Sequence, residues 1–167
     1  ALPPALAPPL PPGRRSAVLA PPATLLRVGL AWRGATASAS VPLADLLTLA
    51  LRPGLALFGL EPGGEAAAQA DPAWVTDLAP SIADAADLAA RLAEMDLVVC
   101  VDGLVAELAA TLGRPTWLLL PADADPRWGG EPDRCAWYPD LRLFRARRGE
   151  GWDGALARLD AALAARL

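Results

Sequence analysis

Apolar and polar positions run in two rhythms along this chain. "LLRVGLAW" (25–32), "LALFGL" (55–60), "DLVVCV" (96–101) and "PTWLLLP" (115–121) are nearly unbroken apolar runs. Runs of that length without alternation predict strands buried on both faces. "LRLFRAR" (141–147) alternates as an edge strand does, and "AWVTDLAP" (73–80) has room for a short strand. Between these runs, apolar residues recur at helical spacing in "PLADLLTLALR" (42–52), "SIADAADLAARLAEM" (81–95), "GLVAELAATLG" (103–113) and "GWDGALARLDAALAARL" (151–167). Pro42 suits a helix start. Ser81 is placed to cap the second helix, with Asp84 and Asp87 in its first turns, and Gly113 to close the third.

Strands that alternate with helices imply a parallel sheet covered on both faces. The expected architecture is α/β: a Rossmann-like, doubly wound, mainly parallel sheet spanning residues 25–167. Residues 1–24 are dense in proline and read as an extended linker. In such sheets ligands bind beyond the carboxyl ends of the strands. The loops after Trp32, Phe58, Val101 and Leu120 should therefore share one rim.

Composition narrows the chemistry. The chain has 167 residues, a net charge of −4 and 54% hydrophobic residues. That charge argues against a nucleic-acid partner, which usually meets a basic face. All fifteen basic residues are arginine, and histidine is absent. A histidine base, a Ser/His/Asp set and a lysine Schiff base are thus excluded. Cys100 and Cys135 have no CxxC neighbour, so no metal site is expected. The apolar runs are too short to span a bilayer, and no transmembrane segment is expected.

Asp102-Gly103, between the third apolar run and the third helix, is the sharpest candidate. The N–H groups of Gly103, Leu104 and Val105 would point into the rim and suit a phosphate. Asp102 would accept hydrogen bonds from sugar hydroxyls; the alternative is that it caps the helix. Arg33-Gly34 follows the first strand. Its arginine either pairs with phosphate or is a solvated loop residue. In the loop after 121, Trp128 is a candidate to stack on a base or sugar, with Arg127 and Arg134 interleaved, while Trp137 and Tyr138 read as core. No Gly-x-Gly-x-x-Gly and no P-loop follows any strand.

The pieces "GLAWRG", "VPLADLL", "LALFGLEPG", "DLVVCVDGLVAELAATLGRPTWLLLP" and "RW…WYPDLRLFR" together resemble bacterial glycosyltransferases related to the lipopolysaccharide heptosyltransferases, of glycosyltransferase family nine. The likeness runs from about Val28 to the end of the chain. It is to the C-terminal, nucleotide-sugar-binding half of a GT-B fold, in the version often fused to tetratricopeptide repeats. The resemblance implies the donor-binding domain of a transferase that moves a hexose or heptose from a nucleotide-diphosphate sugar to an acceptor, without cofactor or metal. It also implies a catalytic base in an N-terminal acceptor domain outside this chain, so that no catalytic residue lies here, and a cytoplasmic location, peripheral at the inner membrane if membrane-associated.

In that family the strand-end motif reads Asp-Thr-x-x-x-His. Asp102 matches, whereas Gly103 stands where threonine is usual and Glu107 where histidine is usual. Arg33-Gly34 matches the start of the family's first turn, but the basic residue that normally follows is absent. Glu61-Pro62-Gly63 lacks the usual lysine. Each hydrogen bond to a charged group contributes roughly 1.5–3 kcal/mol, so these departures define an alternative: a degenerate, non-catalytic domain that serves as a binding or scaffold module.

Overall fold

The computed structural model describes residues 25–61 and 74–167. The linker reading and the Pro62-Gly63 turn lie outside the described residues. Among these described residues six strands form one sheet: β1 (Leu26–Ala31), β2 (Leu55–Gly59), β3 (Thr76–Asp77), β4 (Leu97–Val101), β5 (Thr116–Leu120) and β6 (Leu141–Arg145). Every named pair is parallel, and the order is β3-β2-β1-β4-β5-β6. The fold is the Rossmann-like, doubly wound α/β architecture expected from the apolar runs.

Among the described residues four α-helices cover the sheet: α1 (Leu43–Leu47), α2 (Ala85–Ala93), α3 (Leu104–Thr111) and α4 (Asp153–Ala164). The strand period of two splits the core into two layers. Val98 and Cys100 of β4 pack with Leu88 and Leu92 of α2 and with Val105 and Ala109 of α3. Leu97, Val99 and Val101 face the other way, toward Leu46 of α1 and Leu159 and Leu163 of α4. All five residues of β4 and of β5 are buried, which is why these runs are continuous in apolar residues.

The helix boundaries differ from the sequence reading in two places. Residues 42–52 form only five α-helical residues before tightening into a 3-10 turn at Thr48–Leu51. Ser81 does not cap α2. Its hydroxyl donates to the Leu78 carbonyl and accepts from Arg91 Nε. Asp84 is the cap, with its carboxylate accepting from the N–H groups of Ala86 and Asp87, both at 2.9 Å. Asp84 is extended at φ −147°, and its short carboxylate reaches the free N–H groups of the first turn. Gly113 closes α3 as expected, at φ 63°. At the sheet edge, Arg142 lies over the rings of Trp117 and Phe144, 5.8 and 5.0 Å from their centroids. Beyond β6 the chain already covers this edge: Arg134 forms an antiparallel bridge with Arg142, and Leu143 N–H bonds to the Asp133 carbonyl at 2.9 Å.

Two ion pairs tie distant elements together. Arg27 at the start of β1 grips Asp96, which precedes β4, through Nε (3.2 Å), Nη2 (3.1 Å) and its backbone N–H (2.9 Å). Arg52 grips Asp160 of α4 with two bonds of 2.5 Å. In each pair the arginine hydrogen bond outweighs burial and holds the carboxyl below its ordinary 3.8. A depressed folded pKa contributes stability above the ordinary value and loses it as pH falls through the depressed one. Asp96→Asn and Asp160→Asn are therefore expected to lower stability at pH 7, with the deficit against the parent chain shrinking below pH 3.8. Urea melts at pH 7 and pH 3 check this; a deficit of equal size at both would sink it.

Candidate functional site

The chain winds outward from β1 through β2 to β3, and in the opposite direction from β4 through β5 to β6. The crevice between the carboxyl ends of β1 and β4 is thus the topological switch point, where doubly wound sheets hold ligands. β1 runs into Trp32-Arg33-Gly34 and β4 into Asp102-Gly103. The two turns come close: a Cβ built on Gly103 would lie 4.0 Å from the Arg33 carbonyl oxygen.

The structure leaves α3 without a side-chain cap. Gly103 is the N-cap residue, and among the described residues no side chain accepts from the first turn. Asp102 therefore does not cap the helix; its carboxylate ion-pairs with the Arg127 guanidinium. Gly103 is extended at φ 168°, a conformation open to any residue, and threonine would fit there. Leu104, on the first turn, is 57% exposed. Glu107, one turn in, takes the other side of Arg127 at 2.9 Å. One guanidinium thus spans both carboxylates at the head of α3, and the hydrogen bond that it donates to Asp102 raises the Arg127 pKa.

The Arg33 guanidinium makes no hydrogen bond or ion pair among the described residues and is exposed. Gly34 is constrained. A Cβ there would lie 2.5 Å from the Ala39 carbonyl oxygen, because the turn folds back tightly through a bond from Gly34 N–H to Ser40 Oγ (2.9 Å).

Two residues that the sequence reading did not assign to the site are part of it. Glu61 follows β2 and is only 9% exposed. Its Oε2 accepts from the N–H groups of Trp32 (2.9 Å) and Arg33 (3.1 Å). The turn after β1 thus has its anion already, supplied by the protein. Arg127 is the second. Its interleaving with aromatic residues was visible in the sequence, but its carboxylate partners were not.

Trp128 is corrected. It is 2% exposed and belongs to the core, 6.4 Å from the ring of Tyr138. A buried ring offers no platform to a base or sugar. Trp137, read as core, is 68% exposed, while Tyr138 is half-buried against the core. The two tryptophans exchange roles because Pro126–Trp128 forms a 3-10 turn that drives Trp128 inward. A concavity of about 400 Å³ opens farther along the same rim, at the tips of β5 and β6, lined by Asp123, Arg147, Arg148 and Trp152. It does not lie over Asp102.

The fold and the rim define a Rossmann-like domain with its polar groups gathered at the switch point. No family model matches the sequence, and no curated protein matches it. Solved structures do. ADP-heptose lipopolysaccharide heptosyltransferase II of E. coli superposes with a TM-score of 0.65 at 20% identity, covering 86% of this chain and 46% of that one. E. coli heptosyltransferase WaaC with ADP gives 0.66 at 16% identity, over 88% and 46%. A family 9 glycosyl transferase from Veillonella parvula gives 0.55 at 15%, over 74% and 36%. At these identities the likeness is one of fold, and the chain spans less than half the length of each of these proteins. No helix among the described residues is long and apolar enough to cross a membrane.

Proposed function

We propose that this chain is the donor-binding domain of a glycosyltransferase, taking a nucleotide-diphosphate sugar at the switch point between β1 and β4. The observation that carries the reading is the head of α3. A helix N-terminus without a side-chain cap stands beside Asp102, facing the turn after β1. Its N–H groups and the helix dipole suit a phosphate oxygen. The Asp102 carboxylate suits sugar hydroxyls, and Arg33 has its guanidinium available for a second phosphate contact. The acceptor and the catalytic base would come from a further domain, in keeping with a chain that covers less than half of each heptosyltransferase it matches. No metal is required, since arginine and backbone N–H groups would carry the phosphate charge.

The test is calorimetric titration with UDP, GDP and ADP and their common sugars. Binding by the wild-type chain is expected, and Asp102→Ala should weaken the sugar nucleotide about tenfold or more. The bare diphosphate should be less affected.

A second reading has its own observation. Glu61 already occupies the N–H groups of Trp32 and Arg33, and Glu107 puts a second carboxylate at the head of α3. Both oppose a diphosphate, as in a degenerate domain kept for binding or scaffolding. That reading expects a folded chain that ignores millimolar nucleotide sugars and gains nothing from Gly103→Thr with Glu107→His.

A further inference from the structure

We infer that Arg127 is the phosphate-binding cation of this site, held in waiting by Asp102 and Glu107. The inference rests on the donor-site reading above and deepens it by naming the residue that replaces the missing basic side chains. Arg127 sits on the turn after β5, yet its guanidinium reaches across to the head of α3 and spans both carboxylates there. The backbone beneath it is pinned. The Asp125 carboxylate accepts from Arg127 N–H at 2.8 Å. Arg145 of β6 holds the next residues through the carbonyls of Gly129 (2.6 Å), Trp128 (3.3 Å) and Glu131 (3.2 Å). The guanidinium also lies 5.1 Å from the centroid of the buried Trp128 ring. The side chain as a whole remains 47% exposed. The base of this arginine is fixed while its charged end can turn.

Arginine presents several N–H donors in a planar fork and binds carboxylate and phosphate by the same geometry. An incoming diphosphate at the head of α3 would meet that fork within reach of its present partners. Glu107, 49% exposed, is the partner that can turn into solvent at little cost; Asp102, 21% exposed, stays at the strand tip for the sugar. Glu107 thus competes with the ligand for Arg127 and sets how tightly a diphosphate is held. Arg127 also offsets the repulsion that Glu107 and Asp102 would otherwise exert on the phosphates.

Two substitutions separate this role from a structural one, because both break the same ion pair. A purely structural contact would make Arg127→Ala and Glu107→Gln act alike. A ligand-binding arginine with a competing carboxylate makes them act oppositely. In titrations of the full chain with ADP, GDP and UDP, Arg127→Ala is expected to weaken binding about tenfold or more. Glu107→Gln is expected to tighten it about threefold. Arg127→Lys, which keeps the charge and loses the fork, should fall between wild type and Arg127→Ala. Thermal melts confirm that each variant is folded. Wild-type binding that Asp102→Ala weakens but Arg127→Ala leaves unchanged would overturn the assignment of Arg127 and leave the donor site standing. Weakening of equal size by Arg127→Ala and Glu107→Gln would overturn it too. Absence of binding in wild type and in Glu107→Gln alike would overturn both the donor site and this inference.

Discussion

Glu61→Leu is expected to destabilise the domain by roughly 2–4 kcal/mol, a large fraction of what holds a domain of this size together. The reason is local accounting of hydrogen bonds. Glu61 Oε2 is the acceptor for the N–H groups of Trp32 and Arg33, at 2.9 and 3.1 Å, where the chain leaves β1. A leucine would fill similar space and leave both donors without their acceptor, Trp32 in a buried setting. Buried N–H groups without acceptors carry the full cost of desolvation. Glu61→Gln keeps a side-chain oxygen in place and should cost clearly less. Urea unfolding with an unchanged m-value measures the difference. Equal midpoints for wild type and Glu61→Leu would mean that the turn after β1 does not depend on this carboxylate. The same substitution bears on function, since Glu61 occupies the N–H groups that a second phosphate would otherwise find.

Gly34→Ala is expected to cost about 1–3 kcal/mol and to weaken nucleotide binding along with stability. The added Cβ would sit 2.5 Å from the Ala39 carbonyl oxygen and 2.7 Å from its carbon. Both obstacles are backbone, so no rotamer change relieves them. The loop cannot simply open, because Val41 N–H bonds to the Trp32 carbonyl (2.9 Å) and Trp152 Nε1 to the Ser40 carbonyl (2.9 Å). The strain would instead displace Arg33, which adjoins the switch point. Gly103→Ala is the control: its Cβ would meet nothing nearer than 4.0 Å, and stability should stay within about 0.5 kcal/mol. Comparing the two melts, together with titration by ADP, tests the pair. A Gly34→Ala chain as stable as Gly103→Ala would refute the argument.

These two glycines look alike in the sequence, each following a charged residue at the end of an apolar run. One is required by the close return of a loop and the other is not. The tryptophans make the same point. Trp128 and Trp137 lie in one polar stretch, and nothing in their neighbours says which is 2% and which is 68% exposed. The strands and α3 were legible because burial on both faces leaves an unbroken apolar signature. The start of α2 was misjudged by three residues because Ser81 and Asp84 are both good caps by type, and the chain's approach to the helix selects between them. Arg33, Gly34, Asp102, Gly103 and Leu104 were legible as rim residues because they follow strand ends, whereas Glu107 was named only by the family resemblance. Glu61 and Arg127 were not assigned to the site, because their partners are 28–29 and 20–25 residues away.

The alternation of buried strands and amphipathic helices, and with it a parallel sheet whose carboxyl ends form one rim, is written in the order of apolar and polar residues. Those are properties of periodicity, set within a window of about ten to twenty residues. That β1 and β4 lie side by side, that Glu61 fills the turn after β1, and that Arg127 spans Asp102 and Glu107 emerges only when the chain is folded. Ion pairs and hydrogen bonds act over a few ångströms in space, and separations of 20 to 29 residues along the chain become such distances only once the strand order is set.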